Sequence, residues 1–267
     1  MKYVKNINYM KILPLLVVSM TLISCTSTQF HDNHVIAHRG AWKDTGLPQN
    51  SLASFKAAAE MGCHGSECDV WLSADDSLVV YHDAERGGKR IDEMTYAEVI
   101  SVPLSNGELI PTLREYIMSS KKYPRTKLII DLKTHKDPAR TVRMFEKVHY
   151  LVQEMDYEAS VEYLIGYLPA YKEFSKLTDR PVAYLGVYKV ECPEMHPDTV
   201  AAYGLKCLDY QYVHYLAHPE WVKTFQDAGI HLNAWTVNDE QVMRNLLDMG
   251  FDYLTTDHPG LLLSIDK

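Results

Sequence analysis

Short apolar runs recur along the chain from Val35 onward, each followed by a longer stretch in which apolar positions return every three or four residues. Runs of that length bounded by turn residues predict strands buried on both faces, and the longer stretches predict amphipathic helices. Strands are expected over residues 35–38, 65–72, 127–132, 161–166, 182–186, 207–212, 231–236 and 251–256. Helices are expected over 51–61, 112–120, 139–155, 170–177, 197–203, 219–228 and 239–249. Several carry their own ends: Ser51 and Asn238 as N-terminal caps, Gly62 and Gly250 as stops. Strict alternation of strand and helix reads as an α/β fold with a parallel sheet, and eight repeats favour a closed (β/α)8 TIM barrel in a single domain. The alternative, an open doubly wound sheet, wants a glycine-rich first turn for phosphate, and Gly40-Ala41-Trp42-Lys43 is not one. Residues 73–111 do not fit one repeat. Asp75-Asp76 is a turn signal between Val70-Trp71-Leu72 and Leu78-Val79-Val80, which predicts a hairpin extension of the second strand, with 86–106 an excursion over the barrel mouth.

Polar residues interrupt these runs mainly at their ends. Positions i and i+2 of a strand share a side, so Glu67 and Asp69 aim at one spot while Cys68 and Val70 face the other way. Two like charges there repel, and a divalent cation with oxygen ligands is the obvious partner. In a barrel the C-terminal strand ends meet at one face, where active sites are built. Those ends supply His38-Arg39, Glu67 and Asp69, His82-Asp83, Asp131 and Lys133, Trp235 with Asn238, and Asp257-His258. Taken singly, each has a structural explanation, such as a turn at His82-Asp83 or a core role for Trp235.

Composition narrows the class. With 46% hydrophobic and 23% charged residues over 267 positions, the chain can bury a full core. Lys2, Lys5 and Lys11 precede an apolar run, residues 12–23, that is too short for a comfortable membrane span. Residues 1–24 therefore read as a secretory signal peptide. Leu22-Ile23-Ser24-Cys25 looks like the lipobox of bacterial lipoproteins, so that 25–33 becomes a lipid-anchored tether and 34–267 the barrel domain. The expected location is the bacterial cell envelope, held through lipidated Cys25 on the periplasmic or surface face. Lys+Arg number 27 against 35 Asp+Glu, a net −8; without the three leader lysines the balance is 24 against 35, or −11. That disfavours nucleic acid, whose phosphates need clustered cations. No protein partner is suggested. Among Cys63, Cys68, Cys192 and Cys207 there is no zinc spacing, and Cys192 with Cys207 is a weak disulfide candidate.

The segments His38-Arg39-Gly40, Pro48-Gln49-Asn50-Ser51, Gly65-Ser66-Glu67-Cys68-Asp69-Val70, His82-Asp83, Pro111-Thr112-Leu113, Asp131-Leu132-Lys133 and Trp235-Thr236-Val237-Asn238 resemble, in this order, the motifs of the glycerophosphodiester phosphodiesterase family. The resemblance covers about residues 35–263. It implies a (β/α)8 barrel that uses a divalent metal to cleave a phosphodiester such as a deacylated phospholipid. Position by position, the metal carboxylates fall on Glu67, Asp69 and Asp131 and the two catalytic histidines on His38 and His82. Arg39 matches the phosphate-binding arginine, and Lys133 a basic residue near the metal. Trp235 is a candidate wall for the substrate's apolar side. Two departures stand out, because the family usually has Glu where this chain has Gln49 and Asp131. The excursion after His82 is also shorter than in many relatives.

The residue chemistry agrees. Hydrolysis of a phosphodiester builds negative charge on the phosphoryl and leaving oxygens, which a cation with Arg39 and Lys133 would offset. Oxygen-only ligands favour Mg²⁺ or Ca²⁺ over zinc. Two imidazoles suit the acid–base pair, giving an alcohol and glycerol 3-phosphate. The sequence leaves open which histidine is acid, whether water or a substrate hydroxyl attacks, and the head group. A phosphodiester-binding lipoprotein without turnover is the competing function.

Overall fold

The computed structural model describes residues 30–186 and 194–266. Its strands are β1 (Val35–Ala37), β2 (Gly65–Leu72), β3 (Leu78–Val80), β4 (Glu85–Arg86), β5 (Lys89–Arg90), β6 (Lys127–Leu132), β7 (Val161–Ile165), β8 (Val182–Gly186), β9 (Cys207–Gln211), β10 (His231–Trp235) and β11 (Tyr253–Thr256). The strands β1, β2, β6, β7, β8, β9, β10 and β11 pair in that order, each parallel to the next. Strand β11 then pairs with β1 through Val35 to Leu254, Ile36 to Thr255 and Ala37 to Thr256, which closes the ring. The eight expected repeats thus form a single (β/α)8 barrel.

Alternation along each strand separates two layers. Cys68, Val70, Leu128, Ile130, Tyr163, Tyr184, Leu208, Tyr210 and Leu254 face outward into the main core beneath the helices. Inside, Ile36, Ile129 and Leu164 pack with Ala183, Leu185 and Tyr253 into an apolar plug. Gly65 leaves room for it, since a Cβ there would lie 3.2 Å from Ile129. One step further along the same strands, apolar side chains give way to Glu67, Asp69 and Asp131, all buried. The acids therefore rest on an apolar floor.

The helices follow the expected positions with ends shifted by one to three residues, among them Leu52–Met61, Leu113–Ser120, Pro138–Glu154, Leu168–Phe174 and Glu240–Asp248. Ser51 caps the first by accepting the Ser54 N–H at 2.9 Å, and Gly62 ends it in the left-handed region at φ 86°. The cap expected of Asn238 is supplied instead by Asp239, which accepts the Val242 N–H. Asn238 is committed elsewhere, as described below. Short helices at Trp42–Thr45, Tyr96–Val99 and Tyr212–Ala217 fall below the length at which periodicity identifies a helix, and Pro259–Ile265 is a further helix outside the expected set.

Strand β2 outruns the barrel. Its last three residues pair antiparallel with β3, Val70 to Val80 and Leu72 to Leu78, forming the expected hairpin extension. The excursion beyond has its own small core of Trp71, Val79, Ile91, Met94, Val99 and Ile110. His135 ties it down, accepting the Leu72 N–H at Nε2 and facing Asp92 with Nδ1 at 3.4 Å. Cys63 and Cys68 are buried free thiols. The leader, Cys25 and the Cys192 half of the disulfide candidate lie outside the described residues. No described helix is long and apolar enough to cross a membrane.

Candidate active site

Register builds the acidic cluster. Parallel pairing sets Asp69 beside Asp131, with Glu67 two residues earlier on the same side of β2. One oxygen from each of Glu67, Asp69 and Asp131 lies within 4.8 Å of the others. Burial pushes the Glu67 carboxyl well above its ordinary value, and the neighbouring charges of Asp69 and Asp131 push it further. Asp131 is raised chiefly by burial, against the pull of Lys133. Burial acts on Asp69 in the same direction, but Lys133, Arg39 and His82 outweigh it and hold that carboxyl below the ordinary range.

Two cations lean on these acids. Lys133 Nζ sits 2.6 Å from Asp69 Oδ1 and 2.5 Å from Asp131 Oδ2, so it bridges the carboxylates rather than standing free toward solvent. Arg39 donates its backbone N–H to Glu67 Oε2 at 2.9 Å and brings Nε to 3.5 Å from Asp69 Oδ2. It also donates from a guanidinium nitrogen to Gln49 Oε1 at 2.7 Å. Gln49 therefore keeps the arginine in place although it carries no charge. With Glu67, Asp69 and Asp131 all ionised, as ion ligands must be, this cluster against Lys133 and Arg39 is one negative charge out of balance. A divalent cation would reverse that excess, and a phosphodiester monoanion would then cancel it. The donor set, three hard oxygens with the Glu67 carboxyl forced upward by burial and by its two acidic neighbours, fits such an ion.

His38, at the end of β1, is held by Asp257, which follows β11, with Nδ1 2.8 Å from Oδ1. Burial draws its imidazole below the ordinary value despite Asp257. His82 follows β3. Its Nδ1 lies 2.7 Å from Asp83 Oδ1, and its carbonyl accepts the Trp71 indole N–H at 3.1 Å. All eight residues singled out in the sequence, His38, Arg39, Glu67, Asp69, His82, Asp131, Lys133 and Trp235, line one cavity of about 220 Å³ at the C-terminal strand ends.

Sequence reading named several of the groups that position them but gave them no role in doing so. Asn50 donates to Asp69 Oδ2 at 2.7 Å and accepts the Asp69 N–H at 3.2 Å. Asn238 donates to Asp257 Oδ2 and accepts the Asp257 N–H, both at 2.9 Å, a pairing that needs the donor and acceptor of a carboxamide. Lys43 adds a third contact to Asp257 at 3.3 Å. Asp257 stood at a strand end in the sequence; that it meets His38 could not be read there. Asp209 also lines the cavity, beneath Trp235, whose indole donates to the Asp209 carbonyl at 3.2 Å. Burial and the charge of Asp131 push the Asp209 carboxyl well upward.

A parallel barrel with three acids that could hold a metal ion, two imidazoles and two basic side chains gathered at its C-terminal mouth has the make-up of a hydrolase. The family follows from comparison. Residues 38–261 match the model of the glycerophosphoryl diester phosphodiesterase family, and the chain belongs to it. A crystal structure of a glycerophosphodiester phosphodiesterase from Parabacteroides distasonis is similar at 39% identity and a TM-score of 0.81, covering 88% of this chain and 97% of that one. The glycerophosphodiester phosphodiesterase of Caldanaerobacter subterraneus subsp. tengcongensis is 27% identical over 249 residues, which is 86% of this chain and 96% of the relative. An Oleispira antarctica phosphodiesterase, solved with the product sn-glycerol-3-phosphate, shares the fold at 22% identity and a TM-score of 0.73, covering 86% of this chain and 95% of that one.

Proposed function

We propose that this chain hydrolyses glycerophosphodiesters to an alcohol and glycerol 3-phosphate, using one divalent cation, Mg²⁺ or Ca²⁺, and two histidines. The reading rests on one observation above all: three buried acids, two imidazoles and two cations face a single cavity in a chain of this family. Glu67, Asp69 and Asp131 would hold the ion, which when bound supplies positive charge against the oxygens that gain negative charge during hydrolysis. Arg39, clamped between Gln49 and Asp69, is placed to bind a phosphoryl oxygen. Lys133 holds Asp69 and Asp131 in their shared orientation and adds charge to the same wall.

Acid–base work falls to His38 and His82. With Nδ1 turned to a carboxylate, each ring keeps Nε2 for the substrate. One takes a proton from the attacking O–H, of water directly or of a substrate hydroxyl whose cyclic phosphate water then opens. The new P–O bond forms as the bond to the leaving alcohol breaks, and the other histidine gives that alkoxide a proton, so one water is consumed and protons balance over the cycle. Burial of His38 favours its neutral form, the state a base requires. Trp235 offers an apolar wall, and the location we propose is the cell envelope, through a lipidated Cys25. The test supplies purified protein with glycerophosphocholine or glycerophosphoethanolamine and Mg²⁺ or Ca²⁺, then follows glycerol 3-phosphate. Metal-dependent release is expected. Tight binding without product would instead identify a binding lipoprotein, and turnover restricted to other diesters a different head group.

A further inference from the structure

The chain enters the barrel at the rim opposite the cavity. Lys127 Nζ lies over the Phe30 ring, 5.1 Å from its centroid. His31 donates its backbone N–H to the Arg125 carbonyl at 3.0 Å, and its own carbonyl lies 2.7 Å from His64 Nδ1. Asn33 then clasps Gly62 and His64. Lys127 opens β6 and His64 precedes β2, so this seat belongs to the end where strands begin.

On the same rim, a groove of about 660 Å³ at the starts of β8 and β9 is lined by Lys172, Lys176, Arg180 and Lys206, with Asp179 the acid among its lining residues. It shares Pro181 and Cys207 with the small cavity beside Lys127. Lys176 pairs with the exposed Glu173, and Lys172 lies 4.3 Å over the Tyr203 ring. In a chain of net charge −8, four cations around one groove reverse the local sign.

We infer that this strand-start rim is a membrane-facing surface fitted to an anionic lipid bilayer, and that the catalytic mouth opens away from the bilayer into water. The inference rests on the lipid anchor proposed at Cys25. Residues 26–29 separate that cysteine from Phe30, and an extended chain covers at most about 3.5 Å per residue, so the acyl-bearing end lies within roughly 18 Å of the seat. A domain of this length is roughly 45 Å across. The tether is too short to let the barrel present its opposite end to the same bilayer. Anionic head groups attract clustered lysine and arginine at this range, which favours the docked orientation over free swinging. The mouth then meets diffusible diesters, already freed of their acyl chains, rather than lipids embedded in the anchoring bilayer.

The test uses the full lipidated chain on phosphatidylcholine vesicles containing phosphatidylglycerol and a lipid with a quenching nitroxide on its head group. Fluorophores are attached through Ser175→Cys in the basic groove or Ser105→Cys in the excursion at the mouth, with identically treated wild type giving the background from native thiols. Quenching at 175 should exceed that at 105 severalfold, and K172E/K206E should shrink the contrast while glycerophosphodiester turnover stays unchanged. Equal quenching, or stronger quenching at 105, overturns the inference while leaving the anchor standing. A contrast unmoved by charge reversal overturns the groove's part in it. Protein that does not float with the vesicles overturns anchor and docked rim together, and loss of turnover in K172E/K206E overturns the separation of the docking rim from the catalytic mouth.

Discussion

Arg39 and Asn50 both adopt left-handed backbone, φ 57° and 58°, a conformation that non-glycine residues reach at a cost and that clusters at functional sites. Here each is pinned by the acids it serves. Arg39 gives its N–H to Glu67 and its carbonyl to the Asn50 N–H, and Asn50 brackets Asp69 from both sides. The strain is held by hydrogen bonds that would be lost if any acid moved. The same scale carries the chemistry. His38→Ala and His82→Ala should each lower kcat by about 10² or more, measured as glycerol 3-phosphate release, because each removes a proton-transfer group. Retention of wild-type rates in both would remove the acid–base assignment. Gln49→Glu should restore a charge beside Arg39 and raise kcat/KM less than tenfold, because the hydrogen bond that places the arginine already exists. Kinetics with glycerophosphocholine checks this.

Between residues and barrel, the elements are coupled at few points. Gly40 sits at φ 81°, in the turn between β1 and the next helix, and a Cβ there would stand 2.5 Å from the Ser54 backbone carbon. Gly40→Ala must displace one or the other. A loss of about 2 kcal/mol in urea unfolding is expected, with activity falling more steeply than stability because His38 and Arg39 share the turn. His135 is a second point, joining the excursion to β2. Burial lowers its imidazole below the ordinary 6.5, and its Nε2 already accepts the Leu72 N–H, so protonation would break that bond. Between the lowered value and 6.5 the unfolded chain binds more protons than the folded one. Stability from this group is therefore present above 6.5 and lost as pH falls through the lowered value. Urea midpoints for wild type and His135→Gln should converge as pH drops from 7.5 toward 5; a constant gap would show that His135 does not carry the dependence.

For the whole molecule, a cluster of three acids inside an apolar floor is a debt that a bound cation removes. Chelation should abolish turnover and lower Tm. Saturation at about a hundredfold above Kd should return about 2.7 kcal/mol, several degrees in a domain of this size. Thermal melts with EDTA, Mg²⁺ and Ca²⁺ measure it, and D69N/D131N should show no cation-dependent shift.

How much of this was legible in the chain follows from distance along it. Strand alternation, the shared side of Glu67 and Asp69, the hairpin after β2 and the Ser51 cap depend on neighbours a few residues apart, and the amino-acid pattern determined them. Eight repeats specified a barrel because each strand, buried on both faces, must be flanked by others. The partners that orient the site depend instead on closure. Asp257 reaches His38 across 219 positions only because β11 returns to β1. Register between β2 and β6 sets Asp69 beside Asp131 and lets Lys133 bridge them, and Asn238 gives up the helix cap because Asp257 lies within reach. The seat of residues 30–33 on the opposite rim likewise needed the ring. Local alternation is written in the chain; contacts made by joining its two ends exist only once the barrel has closed.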